Sequence, residues 1–180
     1  SPSYGYFANV GSTERRGLEL GLKTRWEQLL LSLDFGHVRA VHKSEFSTEA
    51  GQEVRSGNRI GGIPANTLKL RAAYPFHPQW QLGTLLLAAS GQYAHGNEGN
   101  RSPDGRVPGY GVLNLDLSHR LDSAWRLSLQ VHNALDKRYS TYGLANIHSI
   151  YTLNSQGFQT PAAPRAIWLA SRWPSASPRR

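Results

Sequence analysis

The sequence predicts an all-β protein, an antiparallel meander of about seven or eight membrane-crossing strands, and three observations predict it. Polar and apolar residues alternate with period two in one segment after another. The connections go short, long, short, long, short, long, which is how a transmembrane barrel is laid out, with tight turns at one rim and long loops at the other. Trp26, Trp80 and Trp125 each sit beside a short turn, with Tyr74 and Phe76 on the same rim, as an interfacial girdle requires.

The chain opens on an aromatic run, Tyr4-Gly5-Tyr6-Phe7, and reaches its first strand through Asn9-Val10-Gly11 and Arg15-Arg16. There Leu18, Leu20 and Leu22 point one way, and Gly17, Glu19, Gly21 and Lys23 the other. Glycines on the polar face admit a closely packed neighbour, which suits a barrel filled by another body. A turn at Arg25-Trp26-Glu27 leads to the second strand, residues 28–42, where Leu29, Leu31, Leu33 and Phe35 alternate with Leu30, Ser32, Asp34 and Gly36. That span is long for a globular strand, which runs to about ten residues. From residue 43 to 64 the pattern stops, and a connection of roughly twenty residues is expected to be a functional or mobile loop.

The third strand, residues 65–76, sets Leu68, Leu70, Ala72 and Tyr74 against Lys69, Arg71 and Ala73, and His77-Pro78-Gln79 turns the chain. The fourth, residues 80–95, breaks alternation at Leu85-Leu86-Leu87, so one of its faces is expected to pack on protein. Residues 96–108 form a second long polar loop, rich in Asn and Gly. The clearest hairpin follows. Leu113, Leu115 and Leu117 alternate with Asn114, Asp116 and Ser118; after Leu121-Asp122-Ser123-Ala124, Leu127, Leu129 and Val131 alternate with Ser128, Gln130 and His132. A third loop spans 146–161, the last strand 163–173, and the tail 174–180 reads as disordered. This makes seven strands, starting on the loop side and ending on the turn side. An odd antiparallel set does not close in the ordinary even-numbered way, so an open, curved sheet is expected, its remaining partners lying upstream.

Composition narrows the function. The net charge of +8 is scattered over strands and loops, with only Arg15-Arg16, Lys137-Arg138 and Arg179-Arg180 adjacent, so no nucleic-acid partner is expected. Long-range steering of anionic ligands explains the same charge. There is no cysteine, hence no disulfide or thiolate metal site, and no methionine; a chain that opens on Ser1 reads as a piece of something longer. No run reaches the roughly 18 apolar residues of a membrane helix, and residues 1–10 lack the pattern of a signal peptide. The seven histidines, His37, His42, His77, His95, His119, His132 and His148, follow no ligand spacing. Asp34 and Asp116 are expected to bond to basic neighbours such as Lys69 and Arg71 rather than act as an acid/base pair. No catalytic residue, metal or cofactor is expected, and the chain does not read as an enzyme.

Several segments together resemble the C-terminal barrel of a TonB-dependent receptor, of the siderophore-receptor type. They are Asn9-Val10-Gly11 through Arg16-Gly17-Leu18-Glu19-Leu20, Gly61-Gly62-Ile63-Pro64-Ala65, Val107-Pro108-Gly109-Tyr110, Val131-His132-Asn133-Ala134-Leu135-Asp136-Lys137-Arg138-Tyr139, and Pro164-Arg165 before an aromatic-ended strand. The asparagine-to-tyrosine segment is the most specific; the family usually has two bulky apolar residues where this chain has Ala134-Leu135.

The resemblance implies that residues 1–173 are part of a 22-stranded outer-membrane barrel of a Gram-negative bacterium, plugged by a separate domain. It implies active uptake of a scarce ligand, foremost a ferric siderophore, with haem, cobalamin or another chelate as further members of the class. The implied partners are the lipid bilayer and lipopolysaccharide, the barrel-assembly machinery, the receptor's own plug domain and the TonB complex. Trp173 would be the terminal aromatic that the assembly machinery reads, although residues 174–180 follow it.

Within that frame the polar strand residues Glu19, Lys23, Asp34, Lys69, Arg71, Asn114, Asp116 and Gln130 are expected to line the lumen. Loop length and polarity single out Arg55, Asn58 and Arg59, then His95, Asn97 and Arg101, then Tyr142, His148 and Tyr151 as candidate contacts to an anionic or catecholate chelate. Two other readings stay open on the residues alone. One is a small outer-membrane barrel with a structural or adhesive role; the other is a soluble β-sandwich binding module, in which Leu18, Leu20, Leu113, Leu115 and Leu117 would face a second sheet.

Overall fold

The computed structural model describes residues 11–48, 51–102, 105–145 and 158–173. The strands, in chain order, are β1 (Thr13–Trp26), β2 (Leu29–His42), β3 (Phe46–Ser47), β4 (Glu53–Val54), β5 (Asn66–His77), β6 (Trp80–Ala89) and β7 (Gln92–Tyr93). They continue as β8 (Arg106–Val107), β9 (Tyr110–Arg120), β10 (Arg126–His132), β11 (Ser140–Leu144), β12 (Phe158–Pro161) and β13 (Ala166–Arg172). Seven of them form one antiparallel sheet in the order β1-β2-β5-β6-β9-β10-β13, a meander with β1 and β13 as open edges.

Register explains the alternation seen in the sequence. Leu22, Leu33, Leu70, Leu86 and Leu113 lie directly opposite one another across five strands, and Leu82, Leu117, Leu129 and Leu169 form a second such row. The result is a continuous apolar band on one face. It stands uncovered: Leu18 is 64% exposed and Leu169 78%. A β-sandwich would require these leucines to face a second sheet, and among the described residues none covers them. The other face carries the polar rows, among them Asp34 opposite Lys69 and Arg71 opposite Leu85, which in turn faces Asn114.

The Leu85-Leu86-Leu87 run resolves in the same register: Leu86 joins the apolar band while Leu85 and Leu87 sit on the polar face beside Asn114 and Val112. Gly17 of β1 has a local reason as well. A methyl group on Gly17 would meet the His37 carbonyl oxygen of the neighbouring strand, so closeness within the sheet already requires glycine there.

Boundaries shift at the turns. Arg25 and Trp26 pair with Leu30 and Leu29, so the first turn is Glu27-Gln28, with Glu27 in the left-handed region at φ 53°. Such a turn matches the twist of the flanking strands. β6 stops at Ala89, short of the expected residue 95, and the chain pairs again only at β7. The turn from Leu121 to Trp125 is closed by Asp122, whose Oδ1 accepts hydrogen bonds from the Ala124 and Trp125 amides at 2.6 and 2.8 Å. Those two amides hold the Asp122 carboxyl below its ordinary range. Trp26, Tyr74, Phe76, Trp125 and Trp173 stand exposed along this rim, and Trp125 meets Trp173 edge-on at 4.6 Å. Residues 174–180 lie outside the described residues.

Candidate functional site: the interlocked outer loops

The three long connections are not patternless. Each carries a small ribbon: β3 pairs with β4, β7 with β8, and β11 with β12. In the first loop, the return segment lies alongside β2, with Ile60 N–H donating to the Ala40 carbonyl and His42 N–H to the Asn58 carbonyl. The sequence missed these ribbons because strands of two to five residues have little or no readable period.

The loops also bind one another. Asn58 Nδ2 donates to the Glu98 carbonyl at 3.1 Å, and Arg59 N–H donates to Asn100 Oδ1 at 2.6 Å while Asn100 Nδ2 returns a bond to the Arg59 carbonyl. Gly62 N–H donates to the Tyr93 carbonyl. Gly62 has φ 76°, and any side chain there would overlap the His95 ring, so this approach demands glycine. The second and third loops join where His95 N–H donates to the Gly143 carbonyl and Ala145 N–H to the His95 carbonyl. Above these bonds the His95 ring stacks on Tyr142 at 5.4 Å.

The candidate contact residues therefore sort by what they do. Arg55 and Arg101, from different loops, converge on Glu53 Oε2 at 3.5 and 3.3 Å and stay largely exposed. Two guanidiniums on one carboxylate leave an exposed surplus of positive charge. His95 and Tyr142 come together as the stacked pair. Asn97 faces no solvent: it is fully buried, its Nδ2 donating to the Ser102 and Gly105 carbonyls and its Oδ1 accepting from Ser102 N–H, so it builds the loop from inside. Asn58 and Arg59 serve the loop-to-loop bonds, Arg59 through its backbone. His148 and Tyr151 lie outside the described residues.

Two residues escaped the sequence reading. Asn100 takes φ 56° to clasp Arg59, and His42 is packed at the root of the first loop, 5% exposed, edge-on to Phe46 at 5.2 Å. Neither His42 ring nitrogen has a hydrogen-bond partner among the described residues. Burial pushes the imidazole pKa down, and the Glu98 carboxylate opposes that in part.

On the sheet, Glu19, Lys23, Asp34, Lys69, Arg71, Asn114, Asp116 and Gln130 all share the polar face. Arg71, Asn114, Asp116 and Gln130 border a shallow groove of about 350 Å³. The expected bonds from Asp34 and Asp116 to Lys69 and Arg71 do not form: among the described residues none of the four has an ion-pair partner, although Asp34 and Lys69 are directly opposite. Opposed strand positions fix the Cα atoms and leave long side chains free to point to solvent.

The segment from Asn133 to Tyr139 is a staple. Asn133, at φ 50° and 3% exposed, exchanges bonds with Lys137, its Nδ2 donating to the Lys137 carbonyl and its Oδ1 accepting from Lys137 N–H, both at 2.9 Å. Its own N–H donates to Asn114 Oδ1 on β9. Asp136 then receives Arg165 N–H at 3.2 Å, just before β13.

A meander with one apolar face, one polar face and long linked loops at one end has the layout of a transmembrane β-barrel wall. The chain belongs to the TonB dependent receptor-like β-barrel family, whose model matches residues 1–134. Among solved structures it is similar to the siderophore receptor PiuA from Acinetobacter baumannii, with 20% identity and a TM-score of 0.71 over 89% of this chain and 22% of that one. It is also similar to the ferric yersiniabactin uptake receptor FyuA from Yersinia pestis, with 19% identity and a TM-score of 0.68 over 89% of this chain and 23% of that one. The copper transporter OprC matches with 17% identity and a TM-score of 0.61 over 89% of this chain and 24% of that one. The chain thus spans about a fifth of the length of the structures it matches. Compared with curated protein sequences, it has no match.

Proposed function

We propose that residues 1–173 of this chain form the C-terminal part of a barrel wall in the outer membrane of a Gram-negative bacterium, in a receptor that takes up a ferric siderophore through TonB. The apolar band faces lipid, and the polar face lines the lumen against the plug. Ligand meets the outer loops, the TonB complex pulls on the plug, and the ligand passes along the wall. The lumen would be lined by Glu19, Lys23, Asp34, Lys69, Arg71, Asn114, Asp116 and Gln130, and Trp173 would close the wall as the aromatic read during assembly.

One observation carries the reading: the loops at one end of a lipid-compatible wall lock together and leave Arg55 and Arg101 exposed around a single carboxylate. Siderophore chelates of iron commonly carry negative charge, and an exposed cationic surplus attracts them. The His95–Tyr142 stack offers a flat face beside it for an aromatic chelator.

The test uses the full-length receptor with ferric tris-catecholate and ferric hydroxamate chelates as probes. The double variant Arg55→Ala, Arg101→Ala should bind the accepted chelate about tenfold more weakly, in line with loss of a charge-assisted contact. Unchanged affinity for every chelate that the wild type binds removes the loops from ligand recognition.

A further inference from the structure

β1 and β2 continue beyond the apolar band at the long-loop end. On the leucine face the rows read Leu20 with Phe35, then Leu18 with His37, then Arg16 with Arg39, then Glu14 with Val41. His37 Nδ1 lies 2.7 Å from Asn66 Oδ1 on the same face, so the band ends at that row. The next row outward is two arginines directly opposite each other. Like charges so placed, with Cβ atoms about 5 Å apart, destabilise a sheet.

A third arginine joins them. An isolated bridge sets Arg59 opposite Val41, which puts its side chain on the same face. The charge around them is one-sided: Arg16 Nη2 and Lys43 Nζ both reach Glu14 Oε2, at 3.1 and 3.6 Å. Arg39 and Arg59 have no ion-pair partner among the described residues. All three arginines are exposed. Arg16 and Arg39 thus lie two residues beyond the last row with a leucine, about 7 Å along the strand, and Arg59 lies one row further out, beside the Glu14 carboxylate that Arg16 and Lys43 share.

We propose that Arg16, Arg39 and Arg59 form a phosphate-binding patch for the phosphorylated glycolipid of the outer leaflet. The inference rests on the proposed outer-membrane placement, which sets this face against lipid and this height at the headgroups. Guanidinium forks match phosphate oxygens in pairs, and one phosphate held between Arg16 and Arg39 removes their mutual repulsion. A soluble anion fits less well, because the patch runs straight into the apolar band. The occupant must carry acyl chains below its phosphates.

The test uses the full-length receptor, purified in detergent and confirmed as folded by its heat-dependent mobility on a gel. Lipid A bearing two phosphates is the probe, and its retention through detergent exchange is read by mass spectrometry. The wild type and a control at the opposite rim, Arg126→Gln, should retain it, whereas Arg39→Gln, Arg59→Gln should lose about tenfold. Equal retention by that double variant and wild type overturns the proposal. So does equal retention of fully dephosphorylated lipid A or of phosphatidylglycerol, and so does displacement by millimolar inorganic phosphate, which would mark a site for a soluble anion.

Thermal unfolding gives a second readout. In glycolipid-free detergent Arg39→Gln should unfold no earlier than wild type, and only wild type should gain stability when lipid A is added. Earlier unfolding of the variant without glycolipid would make Arg39 a structural residue and sink the patch. Cell fractionation separates the two claims: a receptor found in the outer membrane but without lipid A retention loses the patch alone, and one found elsewhere loses both.

Discussion

His42 shows how one buried side chain sets a condition on the loops above it. Its pKa is held below the ordinary value by burial, so the folded loop binds fewer protons than the unfolded one. Loop packing is therefore whole above about pH 6.5 and weakens as the pH falls through the ordinary histidine range toward the folded pKa. Limited proteolysis of the full receptor should cut the first loop faster at pH 5.5 than at pH 7.5, and His42→Phe should remove most of that difference. The same rates at both pH values in wild type would show that His42 is not the group that matters. Nothing in the sequence distinguished His42 from the other histidines, because its burial arises from Phe46 and the returning loop segment, which fold back over it. Asn133 was legible only through resemblance. Its physical reason, a left-handed backbone closed by reciprocal bonds to Lys137, appears once the turn is built.

At the scale of the strand, the period-two pattern carried nearly all the information. Leu113 against Asn114 and Leu127 against Ser128 gave both face and direction, since a slip of one residue would move every side chain to the wrong face. The leucine triplet in β6 was the ambiguous element, and register divides it between the faces. Neighbouring substitutions should then behave oppositely in the full-length barrel. Leu86→Arg, in the apolar band, should destabilise it by about 2–4 kcal/mol, whereas Leu85→Arg on the polar face should cost far less. Unfolding by urea in lipid vesicles measures both, and similar losses would refute the face assignment. The bonds between the loops were illegible for the converse reason: they join partners distant in sequence, such as Asn58 with Glu98 and Gln92 with Thr141.

The whole molecule is an open sheet. Among the described residues the outer edges of β1 and β13 have no partner strand, so two rows of backbone donors and acceptors face outward at the height of the apolar band. Inside a bilayer such groups must be satisfied. The 180-residue chain alone, refolded into detergent, should thus fail to give the compact, heat-dependent gel mobility of a closed barrel and should associate edge to edge. A monomeric, heat-modifiable product would show that seven strands can close by themselves. The long loops bear on a different question, namely how specificity can be transferred between receptors. Because each loop is bonded to the next, from Arg59 and Asn100 through to His95 and Gly143, a single loop transplanted from a relative would arrive without the surfaces that hold it. The smallest graft that carries its own geometry is all three loops at once.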